Sequence, residues 1–107
     1  MELGSKARMK FFSLEKILDE DGIVTRCPPK LGQRLQVVAY LAKFFEPERS
    51  YTEVEVNNVI RSHIAFTDYV TMRRELVDFG FLSRSADCRE YHRAVALPDV
   101  ASILKKF

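Results

Sequence analysis

YTEVEVNNVIRSHIAFTDYVTMRRELVDFGFLSRSADCREYHR, residues 51–93, holds two capped amphipathic segments, a glycine stop and two short alternating runs, in that order. Thr52-Glu53-Val54-Glu55 has the spacing of a capping box, in which the Thr52 hydroxyl accepts from the amide three residues on and Glu55 reaches back to the Thr52 amide. Tyr51 and Val56 are placed as its hydrophobic staple. The helix that starts there carries Val56, Val59 and Ile60 on one side and leaves Arg61 and Ser62 to solvent. His63 falls near its C-terminus, where a protonated imidazole suits the helix dipole, and is read as structural.

The next helix runs from about Asp68 to Phe79 and closes at Gly80, which takes a left-handed cap at little steric cost. At about 100° per residue, Tyr69, Met72, Leu76 and Phe79 form its buried side and Arg73 and Val77 one flank, while Thr71, Arg74, Glu75 and Asp78 point outward. Arg73 is expected to lay its stem on the edge of the core and pair its head with a carboxylate. Phe81-Leu82-Ser83-Arg84 and Arg89-Glu90-Tyr91-His92-Arg93 then alternate as strands around Ser85-Ala86-Asp87-Cys88. With Leu82 and Tyr91 inward, period 2 puts Arg89 and Arg93 on the Tyr91 side and Glu90 and His92 on the other. Helix, helix and hairpin in this order predict an α+β fold of the winged helix-turn-helix class, with a three-helix core over about residues 30–95 and a β-hairpin wing.

The first helix of that core begins at Leu31. Leu35, Val38, Ala42 and Phe45 recur at helical spacing and predict one stripe ending before Pro47. Upstream, Ser13 caps a short helix carrying Phe11, Phe12, Leu14, Ile17 and Leu18, which stops at the turn Asp19-Glu20-Asp21-Gly22. Ile23-Val24-Thr25-Arg26 reads as a strand that can join the hairpin as its third member, completing an N-terminal helix and strand over residues 13–26. Downstream, Pro98 opens a last helix over residues 98–107 with Val100, Ile103, Leu104 and Phe107 on one face. The apolar residues of the two terminal helices exceed what a small three-helix core covers, which predicts a homodimer.

The whole chain of 107 residues suits one domain with one core. No apolar run approaches the roughly 20 residues that span a bilayer, and residues 1–10 lack the apolar core of a secretory signal, so a soluble cytoplasmic protein is expected. Cys27 and Cys88 stand alone and are read as free thiols. Net charge is +2, and its distribution matters more: residues 1–49 hold nine Lys/Arg against seven Asp/Glu, residues 50–93 six against seven. Phosphate affinity comes from lysine and arginine displacing counterions, so a near-neutral helix-helix-hairpin unit predicts weak, salt-sensitive contact with double-stranded DNA. Glu75 and Asp78 add repulsion.

Taken together, Leu18-Asp19-Glu20-Asp21-Gly22, Pro29-Lys30, Tyr51-Thr52-Glu53 with Glu55-Val56-Asn57, Arg73-Arg74-Glu75-Leu76-Val77-Asp78 with Gly80, and Arg84 with Tyr91 and Arg93 resemble domain-of-unknown-function family 2087. The resemblance covers about residues 14–95 and implies a winged-helix-like fold and a link to transcription, since these small bacterial domains also occur fused to ArsR-type regulators. The family pattern favours Asp-Gly in the wing turn. Here Asp87-Cys88 predicts a looser loop.

The residues expected to meet DNA are Lys30, Arg34, Thr71, Arg74, Arg84 and Arg89, with a protein-interaction or oligomerisation module as the alternative use of the same scaffold. No catalytic residue, cofactor or metal is expected. The four glycines form no nucleotide-binding loop, no nucleophile motif occurs, and Asp19-Glu20-Asp21-Gly22 lacks the register of a calcium loop. Cys27, His63, Cys88 and His92 lack the paired spacing of a zinc site.

Overall fold

Leu35, Val38, Ala42 and Phe45, spaced as one helical stripe, are all buried. The computed structural model describes residues 13–87 and 89–105, and the stripe lies on helix α1, Leu31–Ala42. The α-helix stops earlier than Pro47 suggests. Lys43, Phe44 and Phe45 each bond a carbonyl three residues back, a tightened winding that still turns Phe45 inward.

After the short strand β1, Ser50–Tyr51, the Thr52 capping box forms as the spacing predicts. Glu55 N donates to Thr52 Oγ1 at 3.1 Å and Thr52 N to Glu55 Oε1 at 2.9 Å. Helix α2, Glu53–Arg61, follows with Val56 and Ile60 buried. Helix α3, Tyr69–Asp78, is capped by Asp68, whose carboxylate accepts from the Thr71 amide at 3.1 Å and hydroxyl at 2.7 Å. Gly80 ends the turn beyond it at φ 85. Strands β2, Leu82–Arg84, and β3, Tyr91–Arg93, then form the hairpin. The architecture is therefore α+β, with an antiparallel three-stranded sheet among the described residues in the order β1-β3-β2. Leu35, Val38, Val56, Ile60, Met72, Leu76 and Leu82 share one core, joined by Phe45, Tyr51, Phe81 and Tyr91.

Three expectations at the periphery are corrected. The third strand is Ser50–Tyr51 and not Ile23–Arg26: β1 pairs Tyr51 with Tyr91 and Ser50 with His92, and β2 occupies the other edge of β3. Val24 instead lies between Leu18 and the α2–α3 turn, its amide donating to His63 O and its carbonyl accepting from Ala65 N, both at 2.8 Å. The segment after Ser13 is a 3-10 turn, Leu14–Ile17, without a side-chain cap. Asp19 draws the chain into a tight reversal by accepting from the amides of Asp21 and Ile23, and Thr25 takes the Ile17 carbonyl with both its amide and its hydroxyl. Those bonds use groups that a longer helix would need. Phe11 and Phe12 lie outside the described residues.

The third correction concerns the C-terminal helix. Helix α4, Val100–Leu104, starts two residues after Pro98 and packs back on α1. Ile103 is buried, Val100 packs on the core, and the Leu104 methyls sit 3.7 Å from where a Cβ on Gly32 would stand. The chain covers Ile103 and part of Val100 itself, while Leu104 stays 39% exposed, so the apolar excess expected over residues 100–104 is reduced to that edge. Phe107 lies outside the described residues.

Two substitutions test this packing by chemical denaturation. Thr52→Ala should cost about 1 kcal/mol through the lost cap, and Leu76→Ala about 2 to 5 kcal/mol through the cavity it leaves. Gly22→Ala should be harmful for two reasons. Gly22 sits at φ 78, and an added Cβ would stand 2.9 Å from the Tyr40 hydroxyl, which donates to the Gly22 carbonyl at 2.6 Å. A loss of about 1 kcal/mol or more is expected, and an unchanged denaturation midpoint would contradict this account of the turn.

Candidate functional site

Helix α3 and the hairpin after it carry most of the arginines of the second half of the chain, and packing sorts them into two kinds. Arg73, on the flank facing α2, donates from Nη1 to Asn57 Oδ1 at 2.6 Å, and its Nε lies 3.8 Å from Glu53 Oε1. It is a structural residue paired with a carboxylate, as its place on the helix suggests. Arg93, on the inward side of β3, donates to the carbonyls of Phe45, Ala94 and Val95. Arg74, Arg84 and Arg89 are exposed.

Arg34 belongs to the first kind, although it was expected among the DNA contacts. Its Nε lies 2.8 Å from both Glu75 oxygens, and Nη1 donates to Pro29 O at 2.9 Å. The side chains are only 20% and 12% exposed. Glu75 is thus corrected from an outward residue to one that faces α1. It sits on the edge of the outer face, where a small difference in helix rotation decides whether a long side chain reaches water or a neighbouring helix. The pair clamps α1 to α3 and removes one cation and one anion from the exposed surface.

Thr71, Arg74, Glu75 and Asp78 line a shallow recess of about 160 Å³ on α3. Thr71 is taken up by the Asp68 cap, whose bonds hold the Asp68 carboxyl below its usual range. Arg74 and Asp78 are therefore the exposed charges of this face, and they nearly cancel. Lys30 is exposed at the start of α1, one turn before Arg34.

The remaining expected contacts lie on the hairpin. Ser85 N donates to Glu90 O, closing a loop wider than a two-residue turn, as Asp87-Cys88 predicts. Inside it the Asp87 carboxylate accepts from the Ser85 hydroxyl at 2.6 Å and the Arg89 amide at 3.1 Å, and the hydroxyl bond lowers its pKa first. The Arg89 side chain is 85% exposed, with a loose 3.8 Å approach to Asp87. The structure thus gathers Arg34, Thr71 and Arg74 around the outer edge of α3, with Lys30 one turn away, and puts Arg84 and Arg89 on a separate projection.

Sequence reasoning missed the centre that orients these groups. Tyr91 is fully buried yet donates its hydroxyl to Glu53 Oε1 at 3.0 Å, while Glu53 also meets Arg73. Glu53 and Asn57 stand one turn apart on α2, and that spacing on a capped helix was the available signal. It could not name Arg73 and Tyr91 as their partners. Burial, then the Glu53 bond, raises the Tyr91 pKa. Arg61, at the end of α2, was also passed over as merely exposed; its guanidinium lies over the Tyr69 ring, 5.3 Å from the centroid.

His63 engages the Val59 carbonyl through Nδ1 at 2.7 Å and stacks on Phe44 at 3.7 Å, and burial pushes the Cys27 thiol up. Among the described residues no three His, Cys, Asp or Glu side chains cluster as metal ligands. Nor is any helix among them long and apolar enough to cross a membrane.

An α+β domain with three helices packed beside a small antiparallel sheet is the class that the fold defines. Residues 23–93 match the family model described as an uncharacterized protein conserved in bacteria, DUF2087, and the chain belongs to that family. No curated protein and no solved structure matches it.

Tyr91→Phe keeps the ring and removes the hydroxyl that reaches Glu53. A hydrogen bond to a charged group contributes about 1.5–3 kcal/mol, and the half-exposed Glu53 places the expected loss at the lower end. The raised phenol pKa gives a sign as well. Its contribution is complete below about pH 10 and lost as pH rises through the folded value. Urea denaturation at neutral and alkaline pH should show a shallower alkaline decline in the variant than in the parent.

Proposed function

We propose that this chain is a winged-helix domain that contacts double-stranded DNA weakly, as a transcription-associated protein of the cytoplasm without a catalytic step of its own. The observation that supports it is the sorting of the arginines. Arg34, Arg73 and Arg93 are absorbed into ion pairs and carbonyl contacts, while Arg74 on the outer face of α3 and Arg84 and Arg89 on the hairpin are exposed, Arg84 also bonding the Tyr91 hydroxyl. In this reading α3 is the helix offered to the groove, and the hairpin is the wing that reaches a neighbouring phosphate. Lys30 adds a charge at the margin. Arg34 serves by holding α3 in place, and Thr71 by capping it.

A homodimer belongs to the proposal, since half-sites one helical turn apart call for two copies. In this reading the copies join through their terminal elements, where Leu104 stays exposed. A protein-docking role is favoured by one observation: Asp78 beside Arg74 leaves the outer face of α3 close to neutral.

Titration of duplex DNA at two salt concentrations separates these uses. Non-specific binding of about 10⁻⁴ to 10⁻⁶ M at physiological salt is expected, weakening steeply as salt rises. Arg74→Ala and Arg84→Ala should each lower the salt slope by about one if each arginine meets one phosphate. Nanomolar, sequence-selective binding that survives both changes would place the reading surface elsewhere. No binding at low salt would favour protein docking.

A further inference from the structure

A second recess lies away from the outer face of α3, at the joint between α2 and α3. It is a cavity of about 480 Å³, open to solvent and lined by Arg61, Ile64, Phe66, Thr67 and Tyr69. That volume falls within the range of small-ligand sites, although the opening predicts modest affinity. Its walls come from three anchored pieces of chain. Arg61 is the last residue of α2, Tyr69 the first of α3, and Ile64 is fastened from behind by the backbone bonds of Val24 to His63 and Ala65. The recess therefore exists before anything enters it, which reduces the ordering cost of binding.

The lining also states a chemistry. Phe66, Ile64 and the Tyr69 ring offer apolar and aromatic contact, Thr67 offers a hydroxyl, and Arg61 supplies the charge of the lining. Among the described residues the Arg61 guanidinium meets the Tyr69 ring rather than a carboxylate. A guanidinium over a ring spends none of its N–H donors on a carboxylate, which leaves them for an acid held at the ring edge. Asp68 adjoins the recess in sequence and opposes an anion by its charge, but its two oxygens are engaged by Thr71.

We infer that the α2–α3 joint is a binding site for a small aromatic carboxylate, with Arg61 pairing the acid, Tyr69 and Phe66 flanking the ring, and Thr67 supplying a further hydrogen bond. A ligand there touches the last turn of α2 and the first turn of α3 together. The inference does not rest on DNA binding.

Benzoate is the minimal probe. Titrated into the full chain and followed by amide chemical shifts, it should give saturable changes concentrated on residues 61–69, with millimolar affinity. Arg61→Gln changes an exposed side chain and should leave the fold intact while weakening benzoate about tenfold or more, the loss expected for one charge-assisted bond. Thr67→Val should weaken it less. Benzoate should also raise the thermal midpoint of the parent and not that of Arg61→Gln. Shifts spread over the surface without saturation, equal binding by Arg61→Gln, or tighter binding of benzylamine than of benzoate would each overturn the assignment; the last would mean that Asp68 sets the charge preference. Because no DNA is present, this outcome is independent of the fate of the DNA proposal.

Discussion

Burial of Tyr91 is the constraint on which the hairpin depends. Its backbone stands opposite Tyr51 on one side and Arg84 on the other, so it is the residue through which β1 and β2 are held in register. Its ring lies in the core, and a phenol there is costly unless its hydroxyl finds a partner. Glu53 provides one from the first turn of α2, and Glu53 is fixed in turn by the Thr52 cap and the approach of Arg73. One side chain thereby ties the sheet to α2 and, through Arg73, to α3. The hairpin is positioned by a buried group with a polar tip, and not by its own short ladder, which three residues per strand could not hold alone.

The same economy governs the charges. An exposed pair such as Arg89 and Asp87 contributes little, since solvent screens it and two mobile side chains must be held together. Arg34 and Glu75 are mostly removed from water and meet at 2.8 Å on both oxygens, a geometry whose disruption strands a charge between helices. The larger electrostatic term is therefore internal. Committing Arg34, Arg73 and Arg93 to the architecture takes three of the ten arginines out of reach of any partner.

Local chemistry was legible in the sequence wherever a rule acts over three or four residues. The Thr52 box, the Asp68 cap region, the Gly80 stop, the inward places of Met72 and Leu76 and the alternation around Tyr91 all follow from spacing. What escaped depends on partners far apart in the chain. Ile23–Arg26 has strand composition, but composition does not say which edge is vacant, and β1 and β2 already occupy both edges of β3. Glu75 sits on the flank of its helix, and its direction was decided by Arg34, which lies 41 residues earlier. Of the candidate site, the exposure of Arg74, Arg84 and Arg89 was readable. The internal role of Arg34 and the cluster around Tyr91 were not.

The turn between α2 and α3 shows how the long-range contacts work together. A seven-residue connection between two helices would ordinarily let them shift against each other. Here the connection is bonded to Val24 on both sides of Ile64, and His63 is pinned by the Val59 carbonyl and the Phe44 ring. Asn57 and Arg73 join the helices along their contact, and Arg34 holds α3 to α1 from the opposite flank. Movement of α3 relative to α2 would have to break several of these bonds at once, at a cost that a weak surface contact cannot supply. The outer face of α3 is therefore presented as part of a rigid unit, and any partner it accepts must fit Arg74 and Asp78 where the core has already placed them.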